Sequence, residues 1–278
     1  MSIVKTGFLM LLLSALLLAI GVMVGREGGL VVALVIAFVM NFGMYFFGEK
    51  IALTMAQARP LPRSEAPWLY EAMEELCRRA GIPAIPLYYS PDPQPNAFAC
   101  GRGPGAAAIC VNAGLLNSMS QREVVGVLAH EIAHVKNRDT LIMTIAAAIG
   151  TAIMFLSRMA LFFGGDEERP NPIAAITIMI LGPLAALLIQ MAVSRAREYA
   201  ADALGAKLLG DPHPLADALE TLGASVARIP PRTAHPETAH MYIANPFSGG
   251  GFLQLFSTHP PLQERVRRLR TNQYLQEL

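Results

Sequence analysis

Apolar and polar positions sort into two regimes along this chain. Four stretches are apolar almost without a break: Thr6 to Gly25, Leu30 to Phe47, Leu141 to Phe163 and Pro172 to Val193. Each approaches the ~20 residues that an α-helix needs to cross a bilayer. Lys5 before the first run suits a signal peptide. However, the second run begins a few residues later with no clear cleavage site between them, so two retained spans are the better reading. Buried core helices are the alternative for the third and fourth runs, whose length and short polar connector favour spans. Arg158, near the outer end of the third run, is placed to snorkel to the interface.

Between these runs the periodicity changes. Ser64 to Ala80 predicts a helix capped by Ser64, with Pro67 in its first turn and Trp68, Leu69, Met73 and Leu76 on its core face. Ile85 to Ser90 reads as a strand, followed by breaks at Pro91, Pro93 and Pro95. Asn96 to Cys100 and Ala107 to Val111 form a predicted hairpin, turned by Gly101, Gly103, Pro104 and Gly105. Ser120 with Glu123 makes a capping box that opens the next helix. A helical pattern follows the fourth run to about Gly210. Another helix covers Asp211 to Arg228, a Pro- and Gly-bearing loop covers Ile229 to Phe256, and the tail from Pro260 is helical.

Composition sharpens this picture. Hydrophobic residues make up 53% and charged residues 15%, against about 25% charged in a soluble domain, too few to cover a large soluble surface. The net charge of +1 leaves no nucleic-acid footprint. The glycine cluster lacks the lysine and hydroxyl residue of a phosphate loop, and no ATP site is visible. Cys77, Cys100 and Cys110 are odd in number and lack paired spacing. They read as reduced thiols, with a Cys100–Cys110 bridge across the hairpin left open. Lys5, Lys50, Arg59, Arg63, Lys136, Arg138, Arg195 and Arg197 all flank the same ends of the four runs. The positive-inside rule therefore puts both termini and the polar segments on the cytoplasmic side.

The candidate chemistry lies in His130-Glu131-Ile132-Ala133-His134. Two imidazoles four residues apart share a helical face and can reach one zinc ion at about 2.0–2.1 Å. Glu131 beside them is placed to take a proton from the attacking water. Two surface histidines on a polar helix are the plain alternative. Val124, Val125, Val127, Leu128, Ile132 and Val135 make this helix apolar around much of its circumference, and histidines buried there need partners. Such hydrolases need a third protein ligand. Glu198 and Asp202, again four apart, offer a ligand and a hydrogen-bond acceptor for a ligating histidine. The alternative is a pair of solvated carboxylates near Arg195 and Arg197, and His235, His240 and His259 are rival ligands. His134 lies seven residues before Leu141, about 10 Å if the helix continues, which would hold the site at the membrane surface.

The sequence resembles the HtpX family of membrane zinc metalloproteases, relatives of the CAAX prenyl proteases, over nearly its whole length. The likeness rests on two N-terminal spans, Asn96 to Gly101, His130 to His134, a hydrophobic hairpin, Ser194 to Asp202, and Thr258-His259-Pro260-Pro261 with Arg265 beyond. It implies one Zn2+ per chain, with Glu198 as third ligand. It also implies an edge strand at Asn96, Ala97, Phe98 and Ala99 beside the cleft, able to pair with an extended substrate. His259 and Arg265 would position substrate or stabilise the oxyanion. A capping histidine and a surface arginine are the bland alternatives. Cys100 departs mildly from the small hydroxyl residue expected there.

The resulting expectation is a mainly α membrane protein. Four transmembrane helices carry a cytoplasmic, zincin-like α+β metalloprotease domain with a small β-sheet. Residues 1–50 hold two spans, 51–140 the first part of the protease domain, 141–193 a transmembrane hairpin and 194–278 the second part. The expected function is endopeptidase cleavage of misfolded or damaged membrane proteins under stress, at the bacterial inner membrane. Polypeptides and the bilayer are the expected partners. The alternatives are a processing peptidase for one lipid-modified substrate and a non-catalytic zinc scaffold. The scaffold is disfavoured because a structural site is closed by four protein ligands.

Overall fold

A computed structural model describes residues 2–146, 195–226, 242–243 and 260–277. Most of the third apolar run and all of the fourth, Arg158, His235, His240 and His259 lie outside these residues.

Helix α1 covers Ser2–Met55, but its path is not straight. Asn41 Nδ2 donates to Ser14 Oγ at 2.8 Å, across 27 residues. A straight helix would separate them by about 40 Å, so the chain doubles back between them. The polar, glycine-bearing stretch Arg26 to Gly29 lies at the midpoint. Among the described residues no single helix is long and apolar enough to cross a membrane. Leu30–Gly43 and Tyr45–Met55, bent by 65°, pass that test together.

The remaining elements form a mixed α/β unit. They are β1 (Arg59–Pro60), α2 (Pro67–Ala80), β2 (Leu87–Ser90), β3 (Ala97–Gly103), β4 (Ala106–Asn112), α3 (Ala113–Ser118), α4 (Gln121–Lys136), α5 (Arg195–Leu209), α6 (His213–Val226) and α7 (Leu262–Arg270). A 3-10 turn over Gln273–Glu277 follows. The sheet order is β1-β2-β4-β3. β2 runs parallel to β4, with Leu87 opposite Ile109, and β3 runs antiparallel to it, with Phe98 opposite Cys110.

Alternate residues of β3 and β4 enter two separate clusters. Ala97, Ala99, Ile109 and Val111 join the main core with α2, α4, α5 and α6. Phe98, Cys100, Ala108 and Cys110 pack against Ala52 and Leu53 at the end of α1. With both faces covered, these strands are apolar throughout instead of alternating. Gly101 stands at φ +112°, where a Cβ would overlap the Ala106 carbonyl, so the tight hairpin requires glycine there. All three cysteines are free and buried.

Two local expectations change. The helix over Ser64 to Ala80 begins at Pro67, and its N-cap is Ala66 without a side-chain bond. Proline at the first helical position fixes the start there, because its missing N–H needs no acceptor. α4 does not continue into the third apolar run. Arg138 turns at φ +60°, and a new helix begins at residue 140.

Candidate metal centre

α4 is the pillar of the site. Its capping box is complete: Ser120 Oγ accepts from Glu123 N, and the Glu123 carboxylate accepts from Ser120 N at 2.8 Å. Packing of α2, α5, α6 and β3 around α4 buries most of its circumference. The helical repeat then projects His130 and His134 to one side, with ring centroids 4.6 Å apart and planes at 86°. α5 runs beside α4 and brings Glu198 to the same point. Close approach is possible because Gly205 packs on the α4 backbone, where a Cβ would lie 3.2 Å from His130 N.

The ligand atoms of His130, His134 and Glu198 lie within 4.8 Å of one another, and all three residues are buried. The two Nε2 atoms are 3.2 Å apart. The Glu198 oxygens stand 3.4 Å from His134 Nε2 and 3.7 Å from His130 Nε2. Ligands 2.0–2.1 Å from a tetrahedral centre are about 3.3–3.4 Å apart, so this spacing fits a shared metal ion. The outer ring nitrogens fit as well. His130 Nδ1 faces Asp202 Oδ1 at 3.0 Å, and His134 Nδ1 faces Asp139 Oδ2 at 3.3 Å. Carboxylates at Nδ1 fix both tautomers with the Nε2 lone pairs turned inward.

Charge points the same way. Glu131, Asp139, Glu198 and Asp202 are buried acids, and Arg197 and Arg265 are the cations beside them. Two negative charges remain, which a divalent cation would neutralise. Without a metal, a proton takes its place. Burial alone would lower His134, but its bonds to Asp139 and Glu198 outweigh that and push it up to about 10. His130 is held down by burial and by Arg265. Burial pushes Glu131 up to about 7, against His134 and the Ala99 N–H. Burial opposes ionisation of Asp202, but Arg265 and His130 keep it below the usual carboxylate range.

Arg265 is fully buried under this group. It grips both Asp202 oxygens at 2.7 and 2.8 Å, approaches Glu198 at 3.4 Å and donates to the Ile243 carbonyl at 3.3 Å. Its Nη2 lies 3.3–3.4 Å from both ring nitrogens of His130. β3 is the edge strand, and its odd-numbered residues turn their backbone groups away from β4. Ala99 N donates to Glu131 Oε2 at 2.8 Å, and Gly101 N donates to Thr144 Oγ1 at 3.0 Å. Asn96 faces inward: its Oδ1 accepts from Ile243 N at 3.1 Å. Phe98 points to the opposite sheet face, against the end of α1.

Sequence reasoning missed Asp139, Thr144 and Ile243. Asp139 had one readable signal. It is an acid just beyond the end of a helix whose last turn carries His134, close enough to fold back. Here Arg138 in the left-handed region brings Asp139 N to the His134 carbonyl at 2.9 Å.

A buried His-Glu-x-x-His helix joined by a carboxylate from a second helix defines a metallopeptidase. The chain belongs to peptidase family M48, whose profile matches residues 63–273. A protease HtpX homologue from Persephonella marina is 48% identical over 278 residues, covering 97% of this chain and 96% of that one. One from Ralstonia pickettii is 48% identical, covering 98% of each. One from Sulfurihydrogenibium is 50% identical, covering 95% and 94%. The crystal structure of Ste24p from S. mikatae is similar in fold, with TM-score 0.51 at 22% identity. That likeness covers 96% of this chain, which spans only 64% of the Ste24p chain.

Proposed function

We propose that this metalloprotease is a zinc endopeptidase embedded in a membrane, with its site on the cytoplasmic side, and that it cuts misfolded or damaged membrane proteins near the bilayer. The observation that carries this reading is the convergence of His130, His134 and Glu198 beside Glu131, with Glu131 bonded to the outward edge of β3. The membrane setting rests on the HtpX relatives and on the exposed apolar face of α1.

Zinc held by the three side chains supplies Lewis acidity, lowering the pKa of water towards about 7 and polarising the scissile carbonyl. Glu131 is the general base; a carboxyl that titrates near neutrality can take the proton from water and pass it to the leaving amine. Asp202 and Asp139 hold the imidazoles. Arg265 is a positioning residue, since its N–H groups engage Asp202, Glu198 and the Ile243 carbonyl. An extended polypeptide adds to the β3 edge at Ala97 and Ala99. Its carbonyl then takes the Ala99 N–H from Glu131, which frees that carboxylate as the scissile bond arrives. Asn96 fixes Ile243, and Phe98 anchors the strand from behind.

The test compares the full-length protein with Glu131→Ala, assaying metal content, casein cleavage and cleavage of a membrane protein in the same bilayer. Both forms are expected to hold about one zinc, and only the parent should cut, because removing a general base costs about 10²–10⁴-fold in rate. Metal in both forms with cleavage by neither would return the chain to a scaffold or a single-substrate peptidase.

A further inference from the structure

The tip of the β3–β4 hairpin has no part in the chemistry above, yet it carries an unusual cluster. The Arg102 guanidinium lies 5.3 Å from the ring centre of Tyr45 and 5.2 Å from that of Phe46, both on α1. Tyr45, Arg102, Arg138 and the turn Gly103–Ala106 line an open cavity of about 360 Å3. The stem of Arg138 lies against the hairpin, since a Cβ on Gly103 would meet its Cγ at 3.9 Å. Both arginines are exposed, and among the described residues neither forms an ion pair. Glu49 feels the charge of Arg102 from beyond ion-pair distance, and Asp139 is turned inward to His134.

The surroundings identify the occupant. Below the cavity, α1 exposes a continuous apolar face in which Phe38, Phe42 and Phe46 follow one another at 6.1 and 4.5 Å. That face ends at Phe47, and Glu49 and Lys50 follow. The cavity therefore straddles the boundary between an apolar surface and the polar domain. Tyrosine and phenylalanine at such a boundary, with arginines just above, mark the headgroup layer of a bilayer. Two exposed guanidiniums that form no ion pair among the described residues suit a phosphate, which they bind through forked hydrogen bonds.

We infer that this cavity binds the phosphate of an anionic phospholipid, held between Arg102 and Arg138, with the acyl chains along Phe46, Phe42 and Phe38. The inference rests on the membrane reading proposed above. It has a consequence for the site: Arg102 lies on the strand that holds Glu131, and Arg138 adjoins the acid that holds His134. A headgroup there would tie both elements to the membrane surface.

The experiment uses full-length protein in phosphatidylcholine vesicles with and without phosphatidylglycerol, followed by native mass spectrometry of the lipid retained. The test variant combines Arg102→Gln with Arg138→Gly, since glycine keeps the positive φ that turns Asp139 inward. Lys50→Gln is the control for general surface charge. Each basic side chain at an anionic membrane is worth about fivefold in affinity. The double variant should therefore retain phosphatidylglycerol about 25-fold more weakly, with unchanged metal content and unchanged flotation with neutral vesicles. Equal retention by parent and double variant would overturn the inference, as would an equal loss in Lys50→Gln. Displacement of the lipid by millimolar inorganic phosphate would also overturn it, because the site would then be one for the free ion. Failure of the parent to float with neutral vesicles would instead remove the membrane reading itself.

Discussion

At the scale of single residues, the site is organised by the groups behind the ligands. Asp139 and Asp202 play equivalent parts for His134 and His130, but they are held differently. Asp202 is locked by the fork of Arg265, whereas Asp139 depends on one left-handed residue and a looser contact to Arg197 at 3.7 Å. Asp139 is therefore the softer of the two supports. Replacing the partner of a metal-bound imidazole typically costs 10–100-fold in metal affinity. Asp139→Ala is expected to weaken zinc by about that much in a chelator competition, and Asp139→Asn, which keeps an acceptor, by less. Unchanged affinity in Asp139→Ala would show that the contact to His134 has no part in holding the metal. The His130 and His134 pair was legible as a metal candidate from its helical spacing, whereas Glu198 stood among rival ligands in the residues alone and was singled out by the family resemblance; the structure brings all three together. Asp139 was not legible, because its role depends on a backbone turn at Arg138 that residue type does not announce.

At the scale of elements, the helices were legible wherever a local signal exists. The capping box of α4 and the end of α5 before Gly210 are written in adjacent residues. The sheet was legible only in part. Its hairpin follows from glycines and alternation, but the parallel pairing of β2 with β4 and the two-residue β1 depend on partners distant in sequence. The β3 edge contact to Glu131 spans 32 residues and is equally non-local. What makes the elements act together is the α4–α5 approach at Gly205. This glycine lies seven residues, two helical turns, after Glu198, so it sets the spacing of the helix that carries that carboxylate. In Gly205→Ala the new methyl would stand 3.2 Å from His130 N and 3.3 Å from Ala129 C. Backbone on both sides leaves separation of the helices as the only relief. The expected outcome is a several-fold loss of zinc affinity with the fold retained by circular dichroism. Full affinity in a folded Gly205→Ala protein would mean that Glu198 does not depend on this spacing.

At the scale of the whole molecule, four buried acids, one buried arginine and the half-buried Arg197 make the fold's stability depend on what occupies the centre. Without metal, His134 governs the alkaline side. Its folded value is raised from 6.5 to about 10, so the stability it contributes is fully present below about pH 6.5 and lost as pH rises through 10. Glu131, raised from 4.5 to about 7, acts in the same direction over pH 4.5 to 7. His130 and Asp202, both lowered, act in the opposite direction, present at higher pH and lost towards acid, so the slopes partly cancel below neutrality. Above pH 7 the His134 contribution falls, and from about pH 9 the buried thiols of Cys77, Cys100 and Cys110, all raised by burial, lower stability in the same direction with or without metal. A metal ion takes the place of the His134 proton. The metal-free protein in detergent is therefore expected to lose thermal stability progressively from pH 7 to 10, while the zinc-loaded protein changes much less. Zinc binding near pH 8 should release close to one proton from His134, in addition to any that the bound water gives up, measured by calorimetry in buffers of different ionisation enthalpy. Parallel melting curves for the two forms over that range, with no proton release, would mean that His134 is not the proton-bearing ligand that this charge arrangement requires.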